Sequence, residues 1–133
     1  MVILITGSRY WNDESAFQAI RNELSQWPDA DILVHGAARG IDTIADVVGK
    51  EMGFKVISCP AHWRHTNKCP PDCQKIIGKA AGAIRNRYML DTYKPWIVLA
   101  FHPNIEKSKG TKDMVKYATS KKIPVKLISS CHS

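Results

Sequence analysis

No apolar run in this chain approaches the roughly 20 residues that a membrane-spanning helix needs, so no membrane partner is expected. There is no repeat and no low-complexity stretch. The apolar opening Met1–Ile5 reaches Gly7-Ser8-Arg9 too soon for a signal peptide, and no basic stretch precedes it. A cytosolic location is therefore expected, in the host cytosol for a viral protein. There is no Ser-His-Asp order, and no Lys-Ser/Thr follows the glycines as in a Walker loop, which argues against NTP hydrolysis. Four cysteines in a cytosolic chain of this size need not form disulfides. The lysines of the C-terminal quarter are not interleaved with aromatics, which weakens a single-strand-binding reading.

What is present is ordinary for one globular domain spanning 1–133: 44% hydrophobic and 23% charged residues. The net charge of +7 favours anionic partners, from nucleotides to nucleic acid, without choosing among them; the bland reading is a solvated basic surface.

The most informative stretch is Asp31–Asp42. The apolar run Ile32-Leu33-Val34 ends in a small-residue turn, Gly36-Ala37-Ala38-Arg39-Gly40, after which a helical apolar pattern begins at Ile41. Small residues let backbone N–H groups face a ligand, and the helix that follows adds the positive end of its dipole. An anion, most often a phosphate, is the expected guest. On the bland reading glycine merely permits a βα turn and Asp42 caps the helix.

Taken in order, Val2–Ile5 reads as a strand buried on both faces. A helix capped by Asn12 or Asp13 carries Phe17, Ile20, Leu24 and Trp27 on one face and is broken at Pro28-Asp29. Phe54–Cys59 is a third strand after Gly53. An irregular segment, 60–78, holds Trp63 and a His/Cys cluster, and long ordered loops tend to be functional. A helix is expected from about Lys79 through Ile84, Tyr88 and Leu90 to Tyr93. Trp96–Phe101 is a fourth strand, His102–Lys109 a polar loop, Gly110-Thr111 the start of a helix bearing Met114, Val115 and Ala118, and Ile123–Ile128 a last strand whose Pro124 suits an edge. This alternation predicts an α/β, Rossmann-like three-layer sandwich with a mainly parallel sheet of about five strands. Ligands in such sheets sit beyond the carboxyl ends of the strands, where the Gly, Ser and Thr turns cluster.

The motifs Gly7-Ser8-Arg9, His35-Gly36-Ala37-Ala38-Arg39-Gly40-Ile41-Asp42, Pro60-Ala61-x-Trp63, Ala81-Gly82-x-x-Arg85-Asn86-x-x-Met89, Ala100-Phe101 and Gly110-Thr111 come in an order that resembles the YspA/YpsA-related branch of the SLOG superfamily. That superfamily includes DNA-processing protein A and the LONELY GUY enzymes. The resemblance implies a Rossmann-like fold, a nucleotide or nucleotide-derived ligand at the rim, and a homo-oligomer. It names Gly7, Ser8, Arg9, His35, Gly36, Ala37, Arg39, Gly40, Asp42, Trp63, Arg85, Asn86, Gly110 and Thr111 as candidate ligand-binding residues. LONELY GUY enzymes cleave the N-glycosidic bond of nucleoside 5′-monophosphates. They are similar to this chain at Arg85-Asn86-x-x-Met89 and at Gly110-Thr111, but the position of their glutamate is Met114 here, and Glu106-Lys-Ser-Lys109 replaces their glycines.

Ser8 and Thr111 are candidate hydroxyl donors to phosphate or ribose, and Arg9, Arg39 and Arg85 candidate bidentate phosphate partners. Cleavage of an N-glycosidic or phosphate linkage needs a carboxylate to stabilise a cationic centre or activate water; Asp42 and Asp113, with Arg85, are the candidate catalytic residues. A non-catalytic nucleotide-signal sensor and a DNA-binding module are the rival readings. His62, His65, Cys69 and Cys73 have the donor types for a structural tetrahedral zinc, or else the histidines line a base pocket. Cys59 reads as a small hydrophobe.

Overall fold

In the computed structural model, residues 1–60 and 81–129 are described. The elements run β1 (Val2–Gly7), α1 (Glu14–Leu24), β2 (Ile32–His35), α2 (Ile41–Glu51), β3 (Lys55–Ser58), α3 (Ala81–Tyr93), β4 (Ile97–Phe101), a 3₁₀ turn (Ile105–Lys107), α4 (Lys109–Ser120) and β5 (Val125–Ile128).

The strands are short and β-branched, and the central ones are buried on both faces: β4 is buried at every position, and Ile3, Leu4 and Ile5 of β1 are fully buried. They pair into one five-stranded sheet in the order β3-β2-β1-β4-β5, with every pair parallel. The expected "mainly parallel" sheet is thus wholly parallel. One face buries Ile3, Ile5, Leu33 and Leu99 beneath α1 and α2, through Ile20, Leu24, Ile44 and Val48. The other buries Leu4, Val34 and Val98 beneath α3 and α4, through Met89, Leu90, Met114 and Ala118. Alternate side chains of each strand feed opposite layers, which is the strand period at work. The result is an α/β, Rossmann-like three-layer sandwich.

Several element ends differ from the sequence reading. Asp13 caps α1, accepting from the Ala16 N–H, but the helix stops at Leu24, and Trp27 lies beyond it, packing edge-on against Trp96. Ser108 caps α4 and starts it at Lys109, before Gly110. β3 spans Lys55–Ser58, leaving half-buried Cys59 against the α3/α4 layer. β5 is an edge strand, and Pro124 precedes it and gives its carbonyl to the Val98 N–H. No described helix is long and apolar enough to cross a membrane.

Candidate functional site

The chain builds outward from β1 to β2 and β3, then returns to the opposite side of β1 for β4 and β5. That reversal opens a crevice at the carboxyl ends of β1 and β4. There Gly7 pairs with Phe101, and the Ser8 N–H donates to the Phe101 carbonyl at 2.9 Å. The Ser8 carbonyl in turn accepts from the Ile41 N–H at 3.0 Å, tying the start of α2 to the end of β1. Gly40 makes this closeness possible. Its φ is +74°, and a Cβ there would stand 2.6 Å from the Arg9 carbonyl carbon.

The turn after β2 departs from expectation. Asp42 does not cap its own helix: Gly40 holds the cap position and no side chain fills that role. Instead the Asp42 carboxylate folds back over the turn, and its Oδ2 accepts from the Gly36 N–H at 3.1 Å and the Ala38 N–H at 3.2 Å. The Ala37 N–H donates to His35 Nδ1 at 2.9 Å, and Ala37 sits at φ 58°. The amides predicted to face a ligand at Gly36–Ala38 are therefore occupied by the protein's own groups. Asp42 is 5% exposed, and its Oδ1 has no hydrogen-bond partner among the described residues. Burial raises its pKa, opposed by its bonds from the Ala38 and Gly36 N–H groups and by the charge of Arg85.

His35 is spent internally as well. Nδ1 accepts from Ala37, so the proton sits on Nε2, which donates to Asp46 Oδ1 at 2.9 Å. The ring is buried and holds the turn to α2.

From the other layer, α3 sends Arg85 to the turn. Its Nη1 donates to the Gly36 carbonyl, and its Nε to Asn86 Oδ1 at 3.0 Å. Burial lowers the Arg85 pKa, and the Asp42 carboxylate pulls it back up. Asn86 is buried and uses its amide nitrogen on the Gly110 carbonyl and Asp113 Oδ2, each at 3.2 Å. It thus fastens α3 to the first turn of α4. Asp113 faces Asn86, with Arg87 Nη2 4.0 Å away, and does not line the cavities. Met89 lies one turn further along α3, fully in the core, so it shares a helix face with Arg85 without reaching the rim. Met114, at the place of the LONELY GUY glutamate, is likewise core.

Two adjoining cavities fill the rim. One, of about 430 Å³, lies against Gly36–Arg39 and Pro60; the other, of about 570 Å³, lies between Thr6–Tyr10, Asp42 and the start of α4 at Lys107–Thr111. Arg9, Ala38 and Arg85 form part of both walls. Of the predicted residues, Gly7, Ser8, Arg9, Gly36, Ala37, Arg39, Asp42, Arg85, Asn86, Gly110 and Thr111 come together here. Gly40 acts through the backbone behind them. Arg9, Arg39, Arg85, Lys107 and Lys109 give the walls positive charge, and Asp42 is their one acidic residue among the described residues. Ser8 Oγ accepts from the Tyr10 N–H at 3.1 Å, which leaves its hydroxyl proton to donate.

His102 was not singled out from the sequence, where it reads as one residue of a polar loop. It lines the larger cavity, and its Nδ1 accepts from the Asn104 N–H at 2.9 Å, leaving Nε2–H as donor. Burial lowers its pKa. Its place directly after β4, at the switch point, was the available signal.

Trp63 and the zinc candidates His62, His65, Cys69 and Cys73 lie outside the described residues. Among the described residues no cluster of three or more His, Cys, Asp or Glu side chains forms a metal site.

Residues 1–65 match the family described as YspA, cpYpsA-related SLOG. The Gene 61 protein of Mycobacterium phage D29 is 34% identical over 129 residues, covering 92% of each chain. Among solved structures, DNA processing protein A from Helicobacter pylori, described for its single-stranded DNA binding mode, matches with a TM-score of 0.59 at 16% identity, over 96% of this chain and 64% of its own. A UDP-N-acetylglucosamine 2-epimerase matches with a TM-score of 0.52 at 16% identity, over 95% of this chain and 32% of its own. The chain spans less than two thirds of either solved chain, and at these identities the likeness is one of fold. Fold, motif order and the phage relative agree: the chain belongs to the YspA, cpYpsA-related SLOG family.

Proposed function

We propose that the chain binds a nucleotide or nucleotide-derived ligand in the rim cavities, with its phosphate between Ser8-Arg9 and the first turn of α4. The observation that carries this reading is the composition of the larger cavity. The start of a helix, the Ser8 hydroxyl, the His102 Nε2–H and the cations Arg9, Arg85, Lys107 and Lys109 are donors brought to one place from β1, α3 and the segment between β4 and α4. The Gly36–Ala38 amides, bonded to Asp42 and His35, take no part; Arg39 and Arg9 supply charge on that side.

Binding is favoured over cleavage. Splitting an N-glycosidic bond needs a carboxylate facing the sugar. The glutamate position of the LONELY GUY motif is buried Met114, and Asp113 is turned to Asn86. Among the described residues that line the cavities, Asp42 is the carboxylate left to such chemistry, and two backbone N–H groups already hold it.

A second reading, single-stranded nucleic acid, has one observation of its own. Lys109, Lys112 and Lys116 follow at helical spacing along α4, away from the rim. Such a face suits a phosphodiester backbone continuing out of the cavity.

The test is a thermal-shift panel of mononucleotides, dinucleotides, inorganic phosphate and short single-stranded oligonucleotides, since a ligand that binds only the folded state raises its melting point. The nucleotide reading expects a saturable shift with small nucleotides that exceeds the shift with phosphate. A shift confined to oligonucleotides, growing with their length and lost in high salt, would move the conclusion to nucleic acid.

A further inference from the structure

We infer that Tyr10 is the stacking platform for the ligand's base, at the mouth of the larger cavity, so that the base is held by its face and not read by its edge. This rests on the nucleotide reading above.

Tyr10 lines the cavity beside Ser8 and Arg9, yet it is 81% exposed. Single exposed aromatics are common on protein surfaces, so exposure alone says little. Two further observations set this one apart. The first is its lack of partners. Tyr88 and Tyr93 pack edge to face with each other, and Tyr117 bonds Asp91 and lies beneath Arg87 and Lys121. Tyr10 alone of the four tyrosines has neither a ring contact nor a hydroxyl bond among the described residues.

The second is the rigidity of its support. The Tyr10 N–H is fixed to Ser8 Oγ at 3.1 Å. The next residue, Trp11, is 6% exposed, packs against Phe101 with ring centroids 6.4 Å apart, and donates its indole N–H to Ser15 Oγ at 2.8 Å. The backbone is therefore set on both sides, and only the two side-chain torsions remain to be ordered when a base arrives. An aromatic presented on a fixed backbone loses little entropy on binding.

The direction of the ligand follows. Phosphate donors lie inward at Ser8, Arg9 and α4, and the aromatic face lies outward, next in sequence to the same residues. A nucleoside monophosphate joins those two chemistries through one ribose. Because every base has a π-face, stacking alone tolerates all four bases.

The experiment titrates wild type, Tyr10→Ala and Tyr10→Phe with AMP, GMP, CMP, UMP and ribose 5-phosphate. In wild type the four nucleotides bind within a few-fold of one another, purines ahead. Tyr10→Ala weakens all four by roughly ten- to a hundred-fold, the range for loss of one base–aromatic stack. It leaves ribose 5-phosphate unchanged, and Tyr10→Phe binds like wild type. Because Tyr10 is largely exposed and makes no ring contact or hydroxyl bond among the described residues, neither variant threatens folding. Wild-type binding of nucleotides with equal affinity in Tyr10→Ala overturns the stacking role and leaves the site reading intact. Equal weakening of ribose 5-phosphate also overturns it, since the ring would then be shaping the phosphate site. Failure of wild type to bind any of the five overturns both.

Discussion

The Arg85 guanidinium occupies the space that a side chain on Gly36 would need: a Cβ built there would stand 2.6 Å from Arg85 Cζ. Arg85 also donates to the Gly36 carbonyl. A motif glycine just past the end of β2 and a motif arginine on α3, far apart in sequence, are thus one structural unit. Gly36→Ala is expected to drive Arg85 out of its seat, at a cost of about 1–3 kcal/mol, the usual range for overpacking. Urea denaturation measures it; stability within 0.5 kcal/mol of wild type, on the order of a surface change, would show that Arg85 moves aside freely.

Arg85→Lys should both destabilise the fold and weaken nucleotide binding. Arginine gives one nitrogen to Gly36 and another to Asn86 while lining both cavities. Lysine has one charged nitrogen and cannot serve these positions together. The expected loss of affinity is about tenfold or more, equivalent to about 1.4 kcal/mol. Unchanged affinity with reduced stability would make Arg85 a brace for the turn and nothing more.

The position of Asp42 gives a pH prediction. Folding raises its pKa above the ordinary 3.8, burial being the main cause. A group with a raised folded pKa contributes stability that is fully present below the unfolded pKa and is lost as pH rises through the folded value. Asp42→Asn removes that titration. The melting point of Asp42→Asn relative to wild type should therefore improve as pH rises from about 4 toward neutrality. A gap that stays constant over that interval would show that folding does not shift the Asp42 pKa.

Asp46 has one buried partner and one exposed partner. Asp46 accepts from buried His35 at 2.9 Å and from Lys50, one helical turn away, at 2.9 Å. Asp46→Ala strands the His35 Nε2–H in the core and should cost about 1–3 kcal/mol. Lys50→Ala removes only an exposed helical ion pair and should cost no more than about 0.5 kcal/mol. Equal effects would place the value of Asp46 in the ion pair.

The sequence made the layout of this rim legible because two simple rules act together. Short β-branched runs between helical patterns demand a parallel sheet, and a parallel sheet puts its turns at one end. Ser8, Arg39 and Thr111 could be brought to one rim on that basis, and the family resemblance added Arg85 from α3. What the residues hid is where the polar atoms go. Asp42 stands two residues after Gly40, where a cap, a ligand contact or a bond back to the turn all look alike in one dimension. On α3 the apolar pattern suggested Ile84, Tyr88 and Leu90, but Tyr88 is 54% exposed while Asn86 is buried. A polar residue fully bonded to a neighbouring helix behaves as core, and hydropathy does not register that. His102 was missed for a related reason: its ring matters through the Asn104 N–H, which no pattern of side chains shows.

We place the proposed phosphate between the end of β1 and the start of α4, because the turn after β2 has already spent its amides on Asp42 and His35. The most direct test is a co-crystal structure with AMP, or with the nucleotide of highest affinity. The phosphate oxygens are expected within hydrogen-bonding distance of the Ser8 hydroxyl, a guanidinium of Arg9 or Arg85, and the Lys109 and Gly110 N–H groups at the start of α4, the Thr111 N–H being held by Ser108 Oγ. A phosphate seated on the Gly36–Ala38 amides with the Asp42 carboxylate displaced, or a nucleotide bound away from this rim, would contradict it.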